Sequence, residues 1–420
     1  MMNTKNSETD ICDICIVGGG PIGLAFAIAA ATQLSLRVTI LESAPESIAT
    51  FSAMAETPMD SRVYAISPAS RTLLESLGVW QTMTAARLQA VRSMRIWGDS
   101  AKVSFDAITA PDLEFAAPTS ATIATIVEHN NLLQSLWQKV REQDNISVVF
   151  SARPLSISTV ENAVFISFTG IDNTEETLKT KLLIGADGVN SWVRTHAGFG
   201  AVGADYSASA VVANFQCALP HGYAARQWFL GQRGESVLAL LPLPSCLPGS
   251  QVSMVWSCEH PHAQRLMTAE NLAADVAAQH ATIAAELGAL TQIGAARKFP
   301  LSRRGAAQFV MPNVALLGDA AHSVHPLAGQ GANLGFGDVT TLIETLAACG
   351  KFSSIGDVSV LQRYQRSRRE HSMAVTLLTD GLYKLNLASN APAQWLRHEG
   401  LQLVNRSAIL KRGMMAAATR

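Results

Sequence analysis

Between Asp13 and Glu42 the chain spells out a strand, a glycine turn, a helix and a second strand that ends on an acid. Asp13-Ile14-Cys15-Ile16-Val17 is a short apolar strand, and Gly18-Gly19-Gly20-Pro21-Ile22-Gly23 supplies G-x-G-x-x-G. An apolar, Ala-rich helix follows from Leu24 to Ala31, and Arg37-Val38-Thr39-Ile40-Leu41 leads to Glu42. Parallel strands joined by a helix belong to a doubly wound α/β sheet. The glycines permit the tight turn, the close approach of a pyrophosphate and the close packing of helix on strand. Glu42, about 20 residues past the last glycine, stands where an acid holds a ribose 2′-hydroxyl. A lone G-x-G-x-x-G is a weak signal, but its setting here predicts an adenine dinucleotide without choosing which.

Two later segments narrow that choice. Val314-Ala315-Leu316-Leu317 reads as a buried strand and runs into Gly318-Asp319-Ala320-Ala321-His322, then Pro326, then Gly329-Gln330-Gly331-Ala332-Asn333. A helical pattern follows from Leu334 to Leu346. An Asp at a strand end accepts from ribose or ribityl hydroxyls, and glycines at a helix start leave N–H groups free for anionic oxygen. Leu182-Leu183-Ile184-Gly185-Ala186-Asp187-Gly188, with Arg194 beyond it, is another strand entering an Asp-Gly turn. A plain NAD dehydrogenase needs neither segment.

In order and spacing these three motifs resemble the flavin-dependent aromatic monooxygenases of the para-hydroxybenzoate hydroxylase type. The resemblance implies FAD as cofactor and NAD(P)H as co-substrate. It assigns the adenosine diphosphate part to Gly18, Gly20, Pro21, Gly23 and Glu42. Asp187 and Gly188 serve FAD and the transient NAD(P)H; Gly318, Asp319, Pro326, Gly329, Gly331, Ala332 and Asn333 hold the ribityl chain and flavin ring. A narrower likeness is to the ubiquinone-biosynthesis hydroxylases. Asp60-Ser61-Arg62-Val63-Tyr64-Ala65-Ile66-Ser67, Val127-Glu128-His129-Asn130-Asn131-Leu132, Leu241-Pro242-Leu243-Pro244, the run from His322 to Gly331, and Tyr364-Gln365-Arg366-Ser367-Arg368-Arg369-Glu370 carry it. It adds Arg62 to the cofactor set. One departure is Ile123-Ala124-Thr125-Ile126, where a glycine or aromatic is expected.

The 420 residues allow a large core and several domains. The expected fold is α/β: a discontinuous Rossmann-like FAD-binding domain (10–90, 118–205 and 296–350) around an inserted, mainly antiparallel β substrate domain (91–117 and 206–295). The chain is expected to rejoin the nucleotide fold at Phe299-Pro300-Leu301, and C-terminal helices fill 351–420. Within these, Arg363, Arg366, Arg368 and Arg369 read as a charged structural face. The end from Leu396 reads as a helix packed on the body or a partner subunit, with a membrane-touching amphipathic helix as the alternative. A net charge of −1 gives no support for nucleic-acid binding. No secretory signal or membrane-span pattern is visible, so the expected location is the cytoplasm, with peripheral association at the inner membrane as an option. Cys12-x-x-Cys15 lies in the first strand, where small buried thiols are expected rather than a metal or redox pair.

The implied reaction is aromatic hydroxylation through a C4a-hydroperoxyflavin, with O2 and NAD(P)H consumed and a polyprenyl phenol as substrate. No catalytic triad or metal cluster is needed, since the cofactor carries the hard chemistry. His322 and His325, flanking Pro326, are candidates for proton transfer or for hydrogen bonding near the flavin. Leu240, Leu241 and Pro242 are candidate pocket wall for a small lipophilic aromatic substrate. Three alternatives stay open: a monooxygenase of small phenolic acids, a reductase of prenyl double bonds, and a non-catalytic flavoprotein scaffold of a biosynthetic complex. A homo-oligomer is compatible with all of them.

Overall fold

The computed structural model describes residues 11–49, 59–97, 111, 113–116, 121–230, 236–245, 249–322, 331–350 and 353–369. In chain order the elements begin with β1 (Ile11–Val17), α1 (Pro21–Gln33), β2 (Val38–Leu41), β3 (Val63–Ile66), α2 (Pro68–Ser76), β4 (Leu88–Val91), β5 (Ser93–Trp97) and β6 (Leu113–Ala116). They continue with β7 (Ala124–Glu128), α3 (His129–Arg141), β8 (Ile146–Val149), β9 (Arg153–Val160), β10 (Ala163–Thr169), β11 (Glu175–Gly185), α4 (Trp192–His196), β12 (Ala201–Cys217), β13 (Ala224–Leu230), β14 (Ser236–Leu243) and β15 (Ser250–Glu259). The last are α5 (His260–Met267), α6 (Leu272–Ala277), α7 (Ala281–Leu287), β16 (Leu290–Ala306), β17 (Val310–Met311), β18 (Val314–Leu316) and α8 (Gly331–Ala347). A further helix covers 358–369.

The first sheet runs β17-β18-β11-β1-β2-β8, with β10 and β9 added beside β11. β18, β11, β1, β2 and β8 are mutually parallel. Ile14 and Ile16 are fully buried, and α1 is buried continuously from Gly23 to Ala31. A helix apolar all round needs cover on every side; the sheet, α3 and α8 supply it. Cys12 and Cys15 are free and lie in this core, where burial raises both thiols. Their place is that of small hydrophobes.

The second sheet has the order β16-β12-β15-β14-β13-β5-β6 and is antiparallel except where β13 meets β5. Strand alternation splits its side chains between two faces. Val211, Phe215, Leu238, Leu240, Met254 and Trp256 bury against α5, α6 and α7. The opposite face presents Leu241, Leu243 and Ala225 to Val63, Ala65, Val91 and Ile126 of the three-stranded sheet β3-β7-β4. That small sheet is the middle layer, since its other face sends Tyr64, Ile66 and Val127 into the nucleotide core.

Two expectations need correction. Phe299-Pro300-Leu301 does not rejoin the nucleotide fold: β16 pairs with β12 from Cys217↔Leu290 to Ala201↔Ala306, and the first sheet resumes only at Val310. β12 likewise begins at Ala201, before the expected boundary at 206. A Pro is tolerated in β16 because it is the edge strand. Residues 98–110 of the expected substrate domain and the C-terminal end from 370 lie outside the described residues.

Candidate active site

The three glycines of the first turn do different work. Gly18 has φ +109°, and a Cβ there would sit 2.5 Å from the Ala186 carbonyl oxygen. A Cβ at Gly23 would overlap the Gly18 carbonyl oxygen. Gly20 differs from both. Its φ of −77° and ψ of 175° suit any residue, and a Cβ there meets nothing within 4 Å. Neither backbone nor neighbours demand glycine at that position, so the space it leaves is available to a ligand. It faces the start of α1, whose first N–H groups lack intrahelical acceptors. Pro21 occupies the first helical position. The Glu42 carboxylate is held at the turn by the N–H groups of Gly19 (2.6 Å) and Ala44 (2.7 Å).

The Asp-Gly turn after β11 lies beside it. Asp187 Oδ2 accepts from the N–H groups of Trp192 (2.6 Å) and Val193 (3.0 Å), which fixes the carboxylate at the start of α4. Its Oδ1 is buried with no partner among the described residues. Gly188 has φ +81° and open space where a side chain would be. Arg194 binds this turn to the third motif, donating to Val189 O (2.7 Å) and Ala320 O (2.9 Å).

In that third motif Gly318 has φ +58°, turning the chain at the end of β18 so that Asp319 projects from it. The Asp319 side chain reaches open space. The protein packed around its base nevertheless pushes its pKa up, opposed by His322 and Arg62. An acid both exposed and crowded lies on the floor of a recess. Gly331, at the start of α8, is its neighbour: a Cβ there would be 3.9 Å from Asp319 Oδ1. Ala332 follows on the same turn. The Asn333 amide is spent within the protein, accepting from Ser67 N and donating to Ala65 O, both 2.9 Å.

Sequence reasoning missed the group beneath this recess. Asp338 is fully buried on α8 and accepts from Gly318 N (2.9 Å) and Arg368 Nε (2.7 Å). His322 Nε2 lies 2.8 Å from Asp338 Oδ2, an ion-pair distance without hydrogen-bond alignment. Burial would raise the Asp338 pKa, but His322, Arg368 and the Gly318 N–H together hold it below the carboxylate range. Arg368, one of the arginines read as a charged structural face, is buried under the glycine turn, because an acid on the apolar side of α8 requires a cation. His322 therefore supports the turn. His325, Pro326 and Gly329 lie outside the described residues.

Arg62 stands over the Tyr64 ring at 5.5 Å, and Tyr64 Oη lies 2.8 Å from His129 Nδ1. Burial pushes the phenol up to about 12; burial and then Arg62 push the imidazole down to about 4. Both are neutral at pH 7, and the pair shares one hydrogen bond between Oη and Nδ1. The buried Arg87–Glu128 pair holds this wall: Glu128 accepts from Arg87 Nη2 (2.9 Å) and from Asp60 N (2.6 Å).

The three residues expected to form a substrate wall do not share one face. Leu240 is fully buried under the helices, and alternation puts Pro242 on that same side. Of the three, Leu241 alone faces the middle layer.

These features suit FAD: an open space at Gly20 beside a helix N-terminus, a second at Gly188, an orphan Asp187 oxygen, and an acid in a recess. Residues 11–379 match the family described as FAD binding domain. Among curated proteins, the chain is 33% identical over 456 residues to "Ubiquinone biosynthesis monooxygenase COQ6, mitochondrial" of Rattus norvegicus, covering 99% of this chain and 93% of that one. It is 34% identical over 404 residues to "3-demethoxyubiquinol 3-hydroxylase" of Escherichia coli (strain K12), covering 95% and 96%. Among solved structures, p-nitrophenol 4-monooxygenase PnpA from Pseudomonas putida DLL-E4 superposes with a TM-score of 0.73 at 18% identity, covering 98% of this chain and 99% of that one. At that identity the likeness concerns the fold alone.

Proposed function

The chain belongs to the FAD binding domain family, and from this premise we propose that it is an FAD-dependent monooxygenase that hydroxylates the ring of a polyprenyl phenol in ubiquinone biosynthesis, using NAD(P)H and O2. The observation that carries the reading is the reach of the likeness to the 3-demethoxyubiquinol 3-hydroxylase: at 95% coverage it takes in the second sheet as well as the nucleotide fold. The apolar contact of Leu241 and Leu243 in the second sheet with Val63 and Ala65 of the middle layer suits a greasy aromatic ligand.

Bound FAD supplies the acceptance of a hydride from NAD(P)H and the activation of O2 for transfer to an electron-rich ring. The protein's part is to bind, orient and exclude water. The Gly18–Gly23 turn and the start of α1 would take the pyrophosphate, Glu42 a ribose hydroxyl, and Asp319 the hydroxyls of the ribityl chain. The N–H groups of Gly331, Ala332 and Asn333 begin a helix of 17 residues, whose dipole favours negative charge on the neighbouring ring. Gly318 is locked by Asp338, which Arg368 pairs with and His322 adjoins, so the recess keeps its shape. Tyr64 and His129, both neutral, place no extra charge beside it.

Among the described residues no helix is long and apolar enough to cross a membrane. We place the protein in the cytoplasm, at the membrane surface from which a prenylated ring can be drawn, in contact with other enzymes of the pathway. The test is incubation of the holoenzyme with a prenylated phenol, NAD(P)H and isotopically heavy O2. One heavy oxygen in the ring product is expected; NAD(P)H loss with peroxide as sole product counts against the reading.

A further inference from the structure

The face of the second sheet toward the middle layer is not wholly apolar. Asn214 on β12 and Ser253 on β15 are directly opposed in the antiparallel ladder, and both are buried, at 4% and 0% exposure. Asn214 Oδ1 and Ser253 Oγ each have no partner among the described residues. Two residues along β15, on the same face, Gln251 Nε2 is likewise buried and unpaired. Buried polar atoms without partners are costly, and a cluster of them in one place asks for a missing partner.

The neighbours of this pair tie it to both halves of the site. Leu241 is opposite Ser253 across the next ladder, so the polar pair adjoins the apolar patch. The Asn214 amide nitrogen donates to Met59 O (3.0 Å) and Asp60 O (3.4 Å), which leaves Oδ1 as the fixed acceptor. Asp60 leads through Ser61, whose Oγ is also buried and unpaired, to Arg62 beside the cofactor recess.

We infer that Asn214 and Ser253 hold the ring oxygen of an uncharged substrate, the phenol O–H donating to Asn214 Oδ1 and its oxygen accepting from Ser253 Oγ–H. Opposed side chains on antiparallel strands are roughly 4.5–5.5 Å apart at Cβ. One oxygen hydrogen-bonded to both at about 2.8 Å spans that gap. Charge supports the same choice. On these strands Arg226 and Arg95 are on the other face, bound to Glu286, and Arg297 is an exposed partner of Asp60. Among the described residues the sheet presents no buried cation on this face to pair with a carboxylate. The inference rests on the proposed function and deepens it: the pocket selects a neutral hydroxylated ring with an apolar tail and rejects a phenolic acid.

The experiment titrates wild-type and Ser253→Ala holoenzymes with three ligands, following the visible flavin spectrum. They are a geranylated phenol, geranylbenzene lacking the oxygen, and para-hydroxybenzoate. Ser253→Ala removes an orphan hydroxyl, so its melting temperature and FAD affinity should be no lower than wild type. Its affinity for the phenol should fall roughly three- to tenfold, with geranylbenzene unchanged. Equal losses for both ligands, or none, would overturn the assignment, as would para-hydroxybenzoate binding more tightly than the phenol. Ring hydroxylation with an unaltered Ser253→Ala variant would sink this inference alone. If no ring ligand perturbs the flavin, the proposed substrate falls with it.

Discussion

Gly20 gives the sharpest separation between protein stability and cofactor binding. Its backbone angles suit any residue and a Cβ there meets nothing within 4 Å, so Gly20→Val should fold. The expected cost is the difference between Gly and Val at a helix N-cap, about 1 kcal/mol. A cofactor sharing that space loses far more. If the valine keeps a pyrophosphate from the free N–H groups of Ile22 and Gly23, two charge-assisted hydrogen bonds go, at roughly 1.5–3 kcal/mol each. That corresponds to a hundredfold loss or more in FAD affinity, at ~1.4 kcal/mol per factor of ten. Gly23→Ala is the counterpart: its Cβ would overlap the Gly18 carbonyl, so the apoprotein itself should be destabilised. The assay is thermal melting of the apoproteins by circular dichroism, alongside FAD titration by fluorescence. Wild-type FAD affinity in Gly20→Val would refute the placement of the pyrophosphate, and an unfolded Gly20→Val apoprotein would refute the claim that its space is free.

Further outcomes follow from the recess and its supports. Asp319→Ala should weaken FAD roughly ten- to hundredfold in the same titration, since a carboxylate accepting from the cofactor's hydroxyls is lost. Asp338→Ala leaves the buried Arg368 without its carboxylate, and denaturant unfolding should show a loss of about 3–5 kcal/mol. His129, with its pKa lowered to about 4 from 6.5, stays neutral in the folded protein while the unfolded chain takes up a proton. Stability should therefore fall as pH drops from about 6.5 to 4, by at most ~1.4 kcal/mol per pH unit from this group, and be unaffected by it above that window. His129→Gln, which keeps an acceptor for Tyr64, should flatten the profile by that slope.

The cofactor half of the site was legible because its signals are local. Gly18 and Gly23 answer to steric demands of the fold while Gly20 leaves space open, and the motif spacing carries all three. The Asp-Gly turn after β11 and the strand-to-helix turn at Gly318 are equally local. What depended on tertiary contact was not legible. Arg368 looked like one of several arginines on a charged structural face, and only its contact with Asp338 distinguishes it. A signal existed: Asp338 falls four residues after Leu334 and four before Leu342, on the buried side of α8. An acid there demands a buried cation. The extent of β16 was hidden by Pro300, which demotes a strand unless it lies at an edge. Leu240 and Leu241 could not be assigned to faces until the helices showed which side they cover. Asn214 and Ser253 are unremarkable in sequence, and only their register across β12 and β15 brings them together.

The central claim, hydroxylation of a prenylated neutral ring, is tested most directly by kcat/KM across a series of phenols with none to three isoprene units. The assay is run in detergent with NAD(P)H, and the hydroxylated ring is quantified rather than NAD(P)H consumption. Each buried methylene contributes about 0.8 kcal/mol, so tail length should outweigh small changes in ring substituents. The expected result is a steep rise from the bare phenol to two or three units. A flat series, or faster turnover of a bare phenolic acid, would contradict it.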